Sequence, residues 1–256
     1  MIIYLLLILL ITVIMAECYV LYMNNYNQVK FKNILNKDEC QNIINKASKI
    51  KFDTSNETVD TNPELNGVDY HTNNNNMSHM INERQIVSFP VYQINIYSTD
   101  MSIEPLHHNL WENTVKPLYN KKLKPLINKL PWTKGKKIKL SWAFIKRYKK
   151  SERTHMRSHF DANYFTFNIL LSDKNDFKGG DLYIFDKEYS NKYQNIQGLI
   201  LKAHDVFINQ MGNNIPIVKD YDQGDLLSFI GQQHLHGTLP VVEGERYVLV
   251  LFFNIE

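Results

Sequence analysis

The sequence predicts a mainly β fold with flanking helices (α+β), its core a double-stranded β-helix, or jelly roll. Three observations carry this expectation. From Lys139 onward, apolar and polar residues alternate with period two in short runs. Turn signals such as Gly179-Gly180 and Asp222-Gln-Gly-Asp225 separate those runs. Before residue 130 the apolar spacing is helical instead. Many short strands with turns between them suit two sheets packed into a jelly roll.

A chain of 256 residues can bury a sizeable core, and the part after the N-terminus suits one domain. The expected division is a hydrophobic segment over 1–23 and a single domain over 24–256, with helical support over 31–130 and the jelly-roll core over 139–256. The N-terminal segment has an apolar run from Ile2 to Ala16 and a second from Tyr19 to Met23. The first run is short of the about 20 residues that a spanning helix needs, but continuing through Glu17 and Cys18 reaches that length. A signal anchor is the first choice; a signal peptide cleaved near Ala16 and a buried helix are the alternatives. Lys30 and Lys32 follow the segment and nothing basic precedes it, so charge leaves the orientation open.

In Phe31 to Ile44, apolar residues at 35, 40, 43 and 44 after an Asn36 cap predict an amphipathic helix. Residues 53–82, with four asparagines in a row at 73–76, read as a flexible loop. Two glycosylation triplets begin there, at Asn56 and Asn76; an Asn-rich stretch also produces such triplets by chance. From Pro105 to Leu130, the spacing of Leu110, Val115, Leu118, Leu123, Leu126 and Leu130 predicts one or two helices interrupted at Pro117 and Pro125, buttressing a sheet. The basic cluster Lys134 to Lys139 reads as a solvated loop. The two cysteines, Cys18 and Cys40, cannot make a disulfide framework.

In the first strand of the core, period two places Leu140, Trp142, Phe144 and Tyr148 on one face, with Tyr148 pointing inward. In Tyr164 to Leu171, Thr166 and Asn168 share a face among apolar neighbours. Buried polar groups need partners. A bound dicarboxylate would supply them, and cross-sheet hydrogen bonds or solvent are the plainer alternatives. Further strands follow Gly180 and Asp225, and Arg246 opens a buried one running to Phe253. The long connection 187–221 has room for a hairpin (Leu199 to Leu201 with Val206 to Ile208), as a lid or as decoration.

The chemistry lies in His159-Phe-Asp161 and in His236, with Arg246 ten residues further on. Two imidazoles and a carboxylate occupy one face of an iron(II) ion and leave the other open for an organic co-substrate and dioxygen. A His-x-Asp triplet alone is weak evidence, whereas His236-Gly-Thr-Leu-Pro followed by an arginine opening an apolar strand is far more specific. Arg246 can form a fork with a carboxylate inside the barrel, which suits 2-oxoglutarate: the keto acid end at the metal, the far carboxylate at the cation. His234 competes for the ligand role, but only His236 has the spacing to Arg246. His155, His107, His108, His71 and His79 read as ordinary polar residues, and Gly179-Gly180 as a turn, since no Lys-Ser/Thr follows it.

FIKRYKKSERTHMRSHFD (144–161), ANYFTFNILLSDKNDFKGGDLYIF (162–185) and GDLLSFIGQQHLHGTLPVVEGERYVLVLFFN (224–254) resemble the 2-oxoglutarate/iron dioxygenase domain of the procollagen hydroxylases. The lysyl hydroxylase C-terminal domain is most similar and the prolyl 4-hydroxylases next. The likeness is dense over 139–186 and 223–254 and fainter over 31–130. It implies iron(II) held by His159, Asp161 and His236, 2-oxoglutarate held by Arg246 with help from Tyr148, Thr166 or Asn168, and L-ascorbate as the reductant that restores the iron. It also implies a peptidyl hydroxylase, with lysine in a collagen-like peptide as first substrate and proline as the alternative. A non-catalytic binding module of the same fold is the reading from another class. The resemblance favours a domain in the lumen of the endoplasmic reticulum, or a secreted one if the leader is cleaved. A formal charge of +3, with lysines spread among acids, gives no electrostatic case for a nucleic-acid partner.

Overall fold

Two antiparallel sheets face each other, with helices behind the larger one. The computed structural model describes residues 28–50, 92–103, 106–150, 154–192, 211 and 214–256. The N-terminal apolar segment, the 53–82 loop with both glycosylation triplets, His71, His79 and the expected 199–208 hairpin lie outside the described residues. Among the described residues, no helix is long and apolar enough to cross a membrane.

The strands are β1 (Gln28–Phe31), β2 (Tyr92–Ser98), β3 (Ile138–Lys149), β4 (Met156–His159), β5 (Phe165–Leu170), β6 (Phe177–Gly179), β7 (Leu182–Ile184), β8 (Leu226–Phe229), β9 (His236–Thr238) and β10 (Val241–Ile255). The large sheet runs β1-β8-β5-β10-β3-β2, with β6 paired to the start of β10, and the small sheet runs β4-β9-β7. All pairings are antiparallel. This is the mainly β, jelly-roll architecture that the alternation and turn signals predict.

Alternation along the central strands builds two cores. On β10, Tyr247, Leu249, Leu251 and Phe253 pack toward the helices, together with Phe165, Phe167 and Ile169 of β5. The other face carries Val248, Val250 and Phe252 of β10, Phe144 and Tyr148 of β3 and Leu227 and Phe229 of β8, which meet Met156, Leu182 and Ile184 of the small sheet. A third cluster, Tyr183, Phe185 and Leu235, lies behind the small sheet. Tyr148 is buried in the space between the sheets, as its position in the period requires.

Leu140 does not share that face. The β10–β3 register passes from Phe252↔Trp142 to Phe253↔Leu140, so Ser141 is an extra residue, and its hydroxyl donates to the Phe252 carbonyl (2.9 Å). A bulge of this kind flips every residue beyond it, and Leu140 accordingly joins the helix-side core.

Helix α1 (Lys37–Ala47) starts where Asn36 predicts. The Asn36 side chain accepts the Glu39 N–H and the Glu39 carboxylate accepts the Asn36 N–H, both at 2.8 Å, a capping box. Phe31, read with this helix, instead closes β1, whose edge pairing with β8 leaves only weak alternation to detect. Residues 108–127 form one helical run, α2, rather than helices broken at the prolines. Within it, Trp111–Val115 and Tyr119–Leu123 are π-helical, and the N–H groups of Lys116 and Lys124 reach back five residues, to the carbonyls of Trp111 and Tyr119. Each widened turn sits just before a proline, where an α-helical ring would clash with the preceding turn. Lys134, Lys136 and Lys137 are exposed, as expected of a solvated loop, whereas Lys139, also exposed, already lies in β3, paired with Asn254. Cys40 is a free, buried thiol on α1. The described part of the 187–221 connection, including the short helix α3 (Lys187–Asn191), packs behind the small sheet through Tyr189, Met211 and Ile215.

Candidate metal centre

The register of the small sheet creates the centre. β4 and β9 pair with His159 directly opposite His236, so the two rings lie side by side, centroids 4.2 Å apart. Asp161 follows two residues after β4, where its N–H donates to the Gly231 carbonyl (3.2 Å). A Cβ on Gly231 would sit 2.5 Å from the Asp161 Cβ, so only glycine lets the loop after β8 approach this closely. Gly237 of β9 is likewise close-packed: a Cβ there would lie 2.2 Å from the Tyr183 hydroxyl.

One donor atom from each of His159, Asp161 and His236 lies within 4.8 Å of the others. His159 Nε2 is 3.3 Å from Asp161 Oδ1, and His236 Nε2 is 3.5 Å from Asp161 Oδ2. Adjacent ligands at bond lengths of about 2.1 Å stand about 3 Å apart around one ion, so the spacing suits a shared metal. His236 Nδ1 lies 2.9 Å from the His234 carbonyl, which can only accept. Nδ1 is therefore the donor in this contact, which leaves Nε2 as the nitrogen that faces Asp161 and would bind an ion. Burial alone would raise the pKa of Asp161, but His236 and His159 outweigh it and hold the carboxyl well below the usual range. Asp161 is thus an anion ready for a cation, and the His159 side chain, a quarter exposed, leaves one side of the group accessible.

Thr166 and Asn168 share the inner face of β5, and the protein itself supplies partners for both. Thr166 Oγ1 donates to Asp161 Oδ2 at 2.5 Å and accepts from Asn163 Nδ2 at 3.2 Å. Asn168 Oδ1 accepts from the Tyr221 hydroxyl at 2.9 Å. Thr166 therefore aims the carboxylate, an orientation that its sequence position alone does not reveal.

Further along the same face lies Arg246, only 2% exposed, with one terminal nitrogen, Nη1, buried and without a hydrogen-bond partner among the described residues. Burial lowers its pKa, against the favourable fields of Tyr148, Tyr221 and Asp181. A buried guanidinium with an unused donor is costly and calls for an anion. Its Cζ lies 5.5 Å from the Tyr148 ring centre, and Lys146 Nζ lies 5.7 Å from the same ring. Period two places Lys146 inward with Phe144 and Tyr148; its ammonium, 3.2 Å from Met156 Sδ, was missed because a lysine in a strand reads as solvated. Tyr221, buried just ahead of β8, is the other omission; an aromatic residue immediately before the Asp222-Gln-Gly-Asp225 turn is the signal that could have found it. His234 is fully buried and turned away from the triad, toward the Phe185 carbonyl at 2.9 Å. His108 is exposed; His107 and His155 are partly buried.

Fold and site together define a double-stranded β-helix carrying a 2-His-1-carboxylate set at one end of its interior and a buried arginine further in. A scan of protein-family models gives no match, and a search of curated proteins gives none. Solved structures do match. HygX from Streptomyces hygroscopicus, with nickel and 2-oxoglutarate bound, aligns at TM-score 0.55 and 9% identity over 92% of this chain and 84% of that one. An oxidoreductase of the 2OG-Fe(II) oxygenase family from Burkholderia pseudomallei aligns at 0.53 and 14% identity over 93% and 89%. A Trichoplax adhaerens prolyl hydroxylase in complex with a hypoxia inducible factor peptide fragment aligns at 0.52 and 12% identity over 91% and 85%. At these identities the likeness is one of fold.

Proposed function

We propose that the protein is a 2-oxoglutarate- and iron(II)-dependent dioxygenase that hydroxylates a side chain of a peptide or protein. One observation carries the reading: the His159, Asp161 and His236 donors converge at the start of an inner face that leads to the buried, incompletely paired Arg246. The donor set fits iron(II), and the unused Arg246 donor fits the distal carboxylate of a keto diacid. When bound, the metal and co-substrate supply the oxidising chemistry that the chain's own side chains lack. The chain's part is binding and positioning. His159, Asp161 and His236 hold the ion, Thr166 orients Asp161, and Arg246 with Tyr148 and Asn168 fixes the co-substrate. Val248 and Val250, buried on the same face of β10 as Arg246, give that face an apolar lining.

The peptide substrate is supported by the resemblance to procollagen hydroxylases and by the peptide-bound Trichoplax neighbour. Lysine in a collagen-like sequence is the first substrate to try and proline the second. L-ascorbate belongs to the reading as reductant. Membrane attachment through 1–23, with the 24–256 domain in the endoplasmic reticulum lumen, belongs to it as setting.

The test is to incubate the full chain with iron(II), 2-oxoglutarate, ascorbate and matched lysine- and proline-bearing collagen-like peptides, reading succinate and peptide mass. Iron-dependent succinate with a mass gain of one oxygen on a peptide is expected. Iron binding that is unchanged in His236→Ala, with no succinate under any condition, refutes the enzyme and leaves a binding module.

A further inference from the structure

The connection after β7 does more than cover the small sheet. The Phe185 N–H donates to the Leu235 carbonyl, and the Leu235 N–H donates to Ser190 Oγ, both at 2.9 Å. The Ser190 hydroxyl in turn donates to the Phe185 carbonyl (3.4 Å), which also accepts from His234 Nδ1 (2.9 Å). The next carbonyl along the chain from that ring, that of His234 itself, accepts the Nδ1 proton of the ligand His236 at 2.9 Å. Ser190, His234 and Leu235 are each 0% exposed. Asp186, which accepts the Tyr189 N–H at 2.7 Å, caps the helix that presents Ser190.

This is a closed polar network in an otherwise apolar cluster, and one atom in it is left over: His234 Nε2 is buried without a partner among the described residues. An apolar residue would fill the space without that cost. What the imidazole contributes is its Nδ1 donor, which ties the segment just before His236 to residues 185–190. A metal-bound imidazole whose second nitrogen is held by a fixed acceptor binds tighter, and loss of such outer contacts weakens metal binding by about 10–100-fold.

We propose that Ser190 and His234 are positioning residues that brace the distal ligand: the connection after β7 holds the His234 carbonyl in place and so fixes the His236 ring and the affinity of the site for metal. The inference rests on the metal-centre reading above, and the experiment separates the two. Cobalt(II) is titrated into the full chain, reading its visible absorption band and dissociation constant, for wild type, His236→Ala, Ser190→Ala, Ser190→Thr, His234→Leu, His234→Asn and Thr133→Ala. Thr133 is a buried hydroxyl bonded to the Leu130 carbonyl (2.9 Å) on the helix side, so it reports general destabilisation alone. Ser190→Ala and His234→Leu are expected to weaken cobalt binding by about 10-fold or more and to alter the band. Ser190→Thr keeps the hydroxyl and His234→Asn keeps a donor at the Nδ1 position, so both should bind within about 3-fold of wild type, as should Thr133→Ala. If Ser190→Ala binds cobalt as wild type does, with the same band, the brace is refuted even should His234→Leu fail to fold. If wild type binds no cobalt, or His236→Ala binds it equally, the metal-centre reading falls, and the brace with it.

Discussion

Arg246→Met should make the protein more stable and at the same time blind to 2-oxoglutarate. The guanidinium is 2% exposed, and Nη1 has no partner among the described residues. An unsatisfied buried donor costs about 1–3 kcal/mol, and a buried charge adds to that. Methionine has similar length, is apolar and fits irregular space. The variant gives up the cation–π contact with Tyr148, about 2 kcal/mol for a desolvated cation 5.5 Å from the ring centre, which offsets the donor penalty and leaves the relief of the buried charge as the gain. The net gain is about 1–2 kcal/mol, or about 2–8 °C in Tm for a domain of this size. Saturating co-substrate acts in the opposite sense on the comparison: at 100 times Kd it stabilises the wild type by about 2.7 kcal/mol. Thermal unfolding with manganese(II), with and without 2-oxoglutarate, reads both effects. Wild type should shift upward with the co-substrate, whereas Arg246→Met should start higher and not move. A variant that melts lower than wild type and still responds to 2-oxoglutarate would mean that Arg246 serves the fold and not a ligand.

Three further perturbations probe other parts of the structure. Gly237→Ala pushes a methyl to within 2.2 Å of the Tyr183 hydroxyl and 2.7 Å of the Met156 carbonyl, and should destabilise by about 1–3 kcal/mol, read as a lowered urea midpoint. Tyr221→Phe removes the hydroxyl that bonds Asn168 beside Arg246 and should weaken 2-oxoglutarate binding several-fold by calorimetry, without changing cobalt affinity. For Glu39, burial would raise the pKa, but hydrogen bonds from Lys122 and the Asn36 N–H outweigh it, and the net shift is downward from 4.5. A lowered folded-state pKa stabilises above the unfolded value and is lost as pH falls through the folded one. The stability difference between wild type and Glu39→Gln, measured by urea unfolding, should therefore be largest near pH 7 and shrink below about pH 4.5.

What could be read from the chain and what could not divide along physical lines. His159, Asp161, His236 and Arg246 are tied to local patterns, a triplet and a turn-strand phrase, and the strands bring those patterns together. Asn36 announces α1 because a cap acts through the adjacent backbone. The misplaced Leu140 depends on a bulge at Ser141 that shows only when β3 is laid against β10. The unbroken α2 depends on two π-turns that absorb Pro117 and Pro125, where proline rules alone predict breaks. Thr166 was legible as a buried polar residue, but its partner Asp161 is set by how the turn after β4 folds back over β5. Lys146 and Tyr221 were missed because each gains its place from a tertiary contact, with Met156 and with Asn168.

The central claim is that one metal ion and one co-substrate link the triad to Arg246. A crystal structure of the chain grown with manganese(II) and 2-oxoglutarate tests it most directly. A single ion bonded by His159 Nε2, His236 Nε2 and an Asp161 oxygen is expected, with the far carboxylate of the co-substrate on the Arg246 guanidinium. An ion held by other residues, or a co-substrate carboxylate away from Arg246, would contradict it.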